Sequence, residues 1–197
     1  MREVELKAVI DDMALRRQRI EAAGARLSYE GRLSDKRYDL ASRELAKRDE
    51  VLRVRCYEAP DSGRVLLDWK GPTEMRGGYK IREEVSTSID DLNALSKILE
   101  NLGYVVTLAI DREIAQYKLS GAVIRFEVYP RMDILVEVEG EPSAIEAAID
   151  ALGMNRAEFT AEKLPRFVER FERRTGVRAA LCDLEAAGDY RFRAAQG

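Results

Sequence analysis

Glu3-Val4-Glu5-Leu6-Lys7, near the start of the chain, alternates charged and apolar residues without a break. Successive side chains of a β-strand point to opposite faces. Glu3, Glu5 and Lys7 therefore share one face, and Val4 and Leu6 share the other. A half-solvated edge strand carries the same pattern, so recurrence is what gives the stretch its weight. Val51, Arg53 and Arg55 alternate with Leu52, Val54 and Cys56, and Leu66, Asp68 and Lys70 alternate with Val65, Leu67 and Trp69. Lys80, Arg82 and Glu84 share a face. Arg125 and Glu127 lie opposite Ile124, Phe126 and Val128, and Leu135, Glu137 and Glu139 lie opposite Ile134, Val136 and Val138. The chain reads as a sheet with one apolar face and one face rich in both signs of charge.

Between these strands the helix signals are local. Asp11 or Asp12 is placed to cap a helix running to Ala23, with Gly24 as its stop. Asp90-Asp91 opens a helix through Leu102, with Leu92, Leu95, Ile98, Leu99 and Leu102 as its apolar stripe. Pro142 opens another that Gly153 closes, and residues 160–175 carry a last one with Leu164, Phe167, Val168 and Phe171 on its apolar face. Residues 26–40, 104–119 and 122–129 read as further strands, Pro60-Asp61-Ser62-Gly63 as a turn, and 41–50 and Gly77-Gly78 as loops. Strands and helices do not alternate strictly, which argues against a parallel sheet. The expected fold is α+β: about eight antiparallel strands, their apolar face covered by helices. Residues 176–197 lack clear periodicity and read as a short helix or loose tail.

Composition narrows the chemistry. At 197 residues the chain is one domain, with room for a small appendage. It holds no His, which excludes Ser-His and Cys-His catalysis and His-ligated metals. Its two cysteines, Cys56 and Cys182, make no CxxC pair, and Cys56 reads as a small buried hydrophobe. Any metal must be a hard cation held by carboxylates, Mg²⁺ or Mn²⁺. A net charge of -3 argues against general nucleic-acid binding. No apolar run is long enough to span a bilayer, and Met1 leads straight into the first strand without a leader pattern. A cytoplasmic protein is the expectation.

The charged face collects the acids Glu3, Glu5, Glu84, Glu127, Glu137 and Glu139 and the bases Lys7, Arg53, Arg55, Lys70, Lys80, Arg82, Arg112 and Arg125. If the sheet closes into a barrel, these line its bore. Unpaired charges there would be very costly. A ligand with many anionic oxygens, together with a divalent metal, would satisfy both sets, and a triphosphate has that character. If the sheet stays open, the same rows make solvated ion pairs of little energetic worth.

Several blocks, in order, resemble the CYTH superfamily, the triphosphate tunnel metalloenzymes. Glu3-Val4-Glu5-Leu6-Lys7 resembles its ExExK signature. Asp35-Lys36-Arg37-Tyr38-Asp39 followed by Leu52-Arg53-Val54-Arg55 resembles its xDxYFD and LRxR block. Lys70 matches a strand-end lysine, Lys80-Ile81-Arg82-Glu83-Glu84 resembles the KxREE block, and Glu127, Glu137 and Glu139 fall at the spacing of the late acids. The resemblance implies an eight-stranded antiparallel tunnel over residues 1–175. It implies that Lys7, Arg53, Arg55, Lys70, Lys80, Arg82, Arg112 and Arg125 grip the triphosphate. It further implies that Glu3, Glu5, Glu84, Glu127, Glu137 and Glu139 hold one or two Mg²⁺ or Mn²⁺ ions, with Glu3, Glu5, Lys7 and Arg112 as catalytic residues. Residues 41–50, with Arg43, Lys47 and Arg48, look most like the class IV adenylyl cyclase branch, which converts ATP to cyclic AMP and pyrophosphate. The alternatives are an inorganic tripolyphosphatase, a thiamine triphosphatase, or a module that binds polyphosphate or a nucleotide without turnover. A homodimer is compatible with the family. The sequence departs from the family at Ile110, where many members carry Lys; at Glu127, where Asp is usual; at Met132-Asp133; and at Thr160-Ala161.

Overall fold

The computed structural model describes residues 2–59 and 62–192; the side chains of Arg2, Glu3 and Ser62 lie outside the described set, as does the Pro60-Asp61 half of the expected turn. Among the described residues there are nine strands: β1 (Arg2–Val9), β2 (Arg26–Leu40), β3 (Val51–Ala59), β4 (Ser62–Lys70), β5 (Glu74–Arg76), β6 (Tyr79–Ile89), β7 (Tyr104–Leu119), β8 (Ala122–Val128) and β9 (Leu135–Glu139). Every pairing is antiparallel, in the order β1-β9-β8-β7-β2-β3-β4-β6-β5. A further pairing of β1 with β6 closes the sheet into an eight-stranded barrel. The closed form of the expected fold is therefore the one adopted. β5 is additional. It pairs with Tyr79–Ile81 of β6, whereas β4 pairs with Glu84–Ile89.

The local signals set most element ends. Asp12 caps α1 (Met13–Ala22), its carboxylate accepting the Leu15 amide at 3.0 Å. Asp91 does the same for α3 (Leu92–Asn101). Pro142 starts α4 (Pro142–Leu152), and Gly153 ends it in the left-handed region, where an added Cβ would collide with Arg19. Two elements differ from the sequence expectation. The 41–50 loop contains a short helix, α2 (Glu44–Lys47), whose first amides are accepted by the buried Asp39 carboxylate. The last long helix, α5 (Leu164–Thr175), begins four residues later than expected. Thr160 is instead paired through its backbone with Lys7, at 2.9 and 2.8 Å.

Helices α1, α3 and α4 cover the outer face of the barrel, where the apolar side of the alternation points, whereas α5 packs on inward-facing residues of the bore. Leu6, Ala8, Ile124, Phe126, Val136 and Val138 pack under Ile145, Ile149 and Leu152 of α4 and Ile20 of α1. Fully burying one such side chain stabilises by about 1.5–3 kcal/mol, so this layer fixes the strand register. A one-residue slip would send Glu5 and Glu137 into it. α3 covers Tyr38 and Val54 through Leu92, Leu95 and Leu99. α5 lays Phe167 and Val168 over Leu108, Ile110, Tyr129 and Leu135.

Residues after α5 also pack against the barrel, although they carry no periodicity. Ala179, Ala180, Leu181 and Cys182 are buried in sequence. Backbone bonds from Arg131 to Ala180 and from Asp111 to Leu181 hold them, ahead of a short helix, α6 (Asp183–Ala186). No helix among the described residues is long and apolar enough to cross a membrane.

Candidate active site

Closure of the barrel turns the charged face inward. Leu33, Tyr57 and Ile114, with Tyr29 and Leu66, form an apolar plug within the bore. Beyond it lies a cavity of about 160 Å³ lined by Glu5, Lys7, Arg53, Arg55, Lys70, Lys80, Arg82, Arg112, Arg125, Glu127, Glu137 and Glu139. Of the site residues expected from sequence, Glu84 is not among the lining residues but bonds to two that are. Arg53 donates to it at 3.3 Å, and Lys70 lies 3.2 Å away. Glu3 is a ladder partner of Arg82, but its side chain lies outside the described set.

The register arranges these charges in rows. Lys80, Glu5 and Glu139 are successive partners across β6, β1 and β9. Lys7, Glu137 and Arg125 are successive partners across β1, β9 and β8. Carboxylate oxygens of Glu5, Glu137 and Glu139 lie within 4.8 Å of one another. Lys7 bridges Glu5 at 3.0 Å and Glu137, Lys80 pairs with Glu5, and Arg125 donates to Glu137 at 2.6 Å and Glu139 at 3.3 Å. Burial opposes the Lys7 ammonium, but Glu137, Glu5 and Glu127 outweigh it and hold its pKa above the usual lysine range. Burial likewise opposes the Glu137 carboxylate, yet Lys7 and Arg125 hold it well below the usual range. Three converging carboxylates, all hard oxygen donors, suit Mg²⁺ or Mn²⁺. Glu84 and Glu127 stand outside that group. Glu127 is pinned by Arg112 at 2.8 Å and by the Tyr129 hydroxyl at 2.7 Å.

In a ring of eight strands, β1 and β9 face β2 and β3 across the bore. The acid wall thus faces a guanidinium wall. Its hub is Asp35, which sequence reasoning left out of the site. Asp35 is 2% exposed, accepts from Arg55 at 2.9 Å and Arg112 at 3.1 Å, and lies 3.7 Å from Arg53. Burial raises its pKa, but Arg55, Arg112 and Arg53 prevail and hold it well below the carboxylate range. Asp68 is a second missed acid, accepting from Arg53 at 2.6 Å and from Ser86. Arg37 and Lys163 also line the cavity unforeseen. Strand parity was the available signal, since Asp35 and Arg37 are ladder partners of Arg55 and Arg53. Arg82 is turned to the backbone, donating to Gly71 O at 2.6 Å and Asp49 O at 2.5 Å. It ties down the loops flanking the bore.

Beside the charged cavity lies a wider one, of about 670 Å³, that shares Lys80, Lys163 and Pro165 with it. Its other walls include Met75, Thr73, Phe159, Thr160 and Ala161. The site is thus a narrow ionic tunnel with a broad neighbour whose lining mixes apolar, hydroxyl and charged side chains.

The sequence matches the CYTH domain over residues 1–167, and the chain belongs to that family. Family members are in general enzymes that act on triphosphates and depend on metal ions. No curated protein matches the sequence significantly. Among solved structures, a Vibrio parahaemolyticus protein provisionally named an adenylate cyclase aligns with a TM-score of 0.72 at 20% identity, over 85% of this chain and 97% of its own. A Pyrococcus horikoshii protein aligns with a TM-score of 0.68 at 22% identity, over 85% and 98%. A Hippeastrum protein, provisionally named an adenylyl cyclase and found to have a dominant triphosphatase activity, aligns with a TM-score of 0.58 at 15% identity, over 93% and 98%. At these identities the likeness is one of fold.

Proposed function

We propose that this protein is a metal-dependent enzyme acting on a triphosphate in the tunnel, with the activity of a class IV adenylyl cyclase: ATP to cyclic AMP and pyrophosphate. The observation that carries the reading is the placement of Glu5, Glu137 and Glu139 opposite the Arg53, Arg55 and Arg112 wall inside one closed bore. Plain anion binding needs no such acid wall.

Arg53, Arg55 and Arg112 bind phosphoryl oxygens with forked donors, and Asp35 keeps their planes oriented. Arg112, fixed between Asp35 and Glu127, holds its charge in place while negative charge develops on the phosphates. Lys7, Lys70, Lys80, Arg82 and Arg125 complete the cationic lining. Glu5, Glu137 and Glu139 would hold Mg²⁺ or Mn²⁺, with Glu3, Glu84 and Glu127 as the outer acids. Such an ion, when bound, neutralises phosphoryl oxygens and favours deprotonation of the attacking oxygen. The neighbouring cavity favours a substrate with an organic group over bare tripolyphosphate. The Hippeastrum protein supports a second reading, hydrolysis of the terminal phosphate, for which the tunnel contacts would be nearly the same.

The test is an initial-rate panel of ATP, thiamine triphosphate and tripolyphosphate, with and without Mg²⁺ or Mn²⁺. The proposal expects metal-dependent consumption, with ATP preferred and cyclic AMP formed. Tripolyphosphate cleaved well ahead of ATP would make the protein a tripolyphosphatase.

A further inference from the structure

Arg37 is a part-buried cation whose guanidinium has no hydrogen bond or ion pair among the described residues. Its Nε is inaccessible to solvent and donates to nothing. The guanidinium lines the charged tunnel where α5 crosses it, beside Leu108, Leu164 and Pro165. Across the β2–β3 ladder its partner is Arg53, a like charge directly opposite, which costs stability. The carboxylates that share its cavities are committed elsewhere. Asp35 binds Arg55 and Arg112, Asp39 accepts the Leu45 and Ala46 amides, Glu50 pairs with Arg48, and Glu169 pairs with Arg166. Burial, with Arg53 and Arg112 nearby, pushes the Arg37 pKa down to about 10. On the other strand beside it, β7 offers Leu108 opposite Arg37 and Ile110 opposite Asp35, so that flank supplies no charge.

An inaccessible, unused Nε–H on a cation set opposite another cation suits an anionic ligand. We infer that Arg37 is an additional substrate-binding residue, a phosphate grip on β2 at the α5 side of the tunnel. The inference rests on the tunnel being the triphosphate site, and it names a contact that the sequence motifs do not supply. The guanidinium presents several donors in a fixed fork, and a terminal phosphoryl group is the ligand that uses them. It also explains how the chain accommodates an apolar residue at position 110: the cation is supplied by the adjacent strand.

The experiment compares wild-type protein with R37M and R37K. It measures tripolyphosphate affinity by titration calorimetry and the melting temperature of each ligand-free protein. Losing charge-assisted bonds of this kind weakens binding about tenfold or more. R37M is therefore expected to bind tripolyphosphate about tenfold weaker or worse while melting at the same or a higher temperature, because a buried repulsion is removed. R37K is expected to recover part of the affinity. Equal affinity of wild type and R37M overturns the inference, as does a lower melting temperature of ligand-free R37M, which would make Arg37 structural. If wild-type protein does not bind tripolyphosphate at all, the reading of the tunnel itself falls; if it binds and R37M binds equally, only the role of Arg37 falls.

Discussion

Glu5 on β1 and Glu139 on β9 stand directly opposite each other in the antiparallel ladder, two carboxylates on the same inward face. Like charges so placed destabilise a sheet. Here Lys7, Lys80 and Arg125 offset the repulsion, and a divalent cation would do so more strongly. Glu5→Gln is expected to lower metal-dependent turnover by about 100-fold, in line with what positioned electrostatic groups contribute. Metal-free affinity for tripolyphosphate should stay within a few-fold of wild type. Chelation with EDTA should abolish turnover in both proteins, and added Mg²⁺ should restore it in the wild type. Unchanged kinetics in the variant would remove Glu5 from the metal-binding set.

Asp35 makes a stability prediction of its own. Asp35→Asn leaves Arg53, Arg55 and Arg112 buried with a weaker partner. Breaking a buried charge network in this way costs roughly 3–5 kcal/mol. For a chain of this length that is a fall in Tm of roughly 6–20 °C. Because the variant retains the guanidinium groups, excess tripolyphosphate should raise its Tm by more than it raises that of the wild type. Differential scanning calorimetry with and without ligand measures both.

The loop flanking the bore at Asp49 is tied by a titratable latch. Asp49 accepts from Lys163 at 2.6 Å and from the Thr73 amide at 2.8 Å. Partial burial opposes the Asp49 carboxylate, but the bonds from Lys163 and Thr73 prevail and lower its pKa from 3.8 to about 2. The fold therefore favours the charged form. The stabilisation is complete above about pH 4 and is lost as pH falls from there through about 2. The Tm difference between wild type and Asp49→Asn should be constant at neutral pH and shrink across that acid range. Asn is the appropriate replacement because Asp49 sits at a φ of 55°, which Asn tolerates. A difference that does not change with pH would show that the latch is not ionic.

Met75 offers a test of the wider cavity on its own. It is 61% exposed, on β5, and lines the wider cavity but not the ionic tunnel. Met75→Asp should raise the KM for ATP several-fold while leaving the KM for tripolyphosphate nearly unchanged. Parallel changes in both would mean that the organic group does not sit there.

Most of the barrel was legible because inward and outward residues alternate with a period of two, broken only by register shifts in the β2–β7 ladder. Glu5, Lys7, Arg53, Arg55, Arg112, Arg125 and Glu137 all reach the bore by that rule. Closure itself was not legible from periodicity, because it depends on the single pairing of β1 with β6. β5 has too little signal to read, because Glu74-Met75-Arg76 is three residues long and exposed throughout. α2 forms because Asp39, five residues before its first turn, captures its amides from outside the helix. Asp35 shows no role in its own strand's pattern, because that role exists only when three strands bring Arg53, Arg55 and Arg112 to it. The buried run from Ala179 to Cys182 has no period to read, since backbone bonds and not an amphipathic face hold it in place.

The most direct measurement of the central claim is ³¹P NMR of ATP incubated with the purified protein and Mg²⁺. The account predicts loss of the three triphosphate resonances and appearance of cyclic AMP and pyrophosphate, dependent on Mg²⁺ and absent in Glu137→Gln. An unchanged spectrum for ATP, with tripolyphosphate and thiamine triphosphate equally untouched by folded protein, would contradict it.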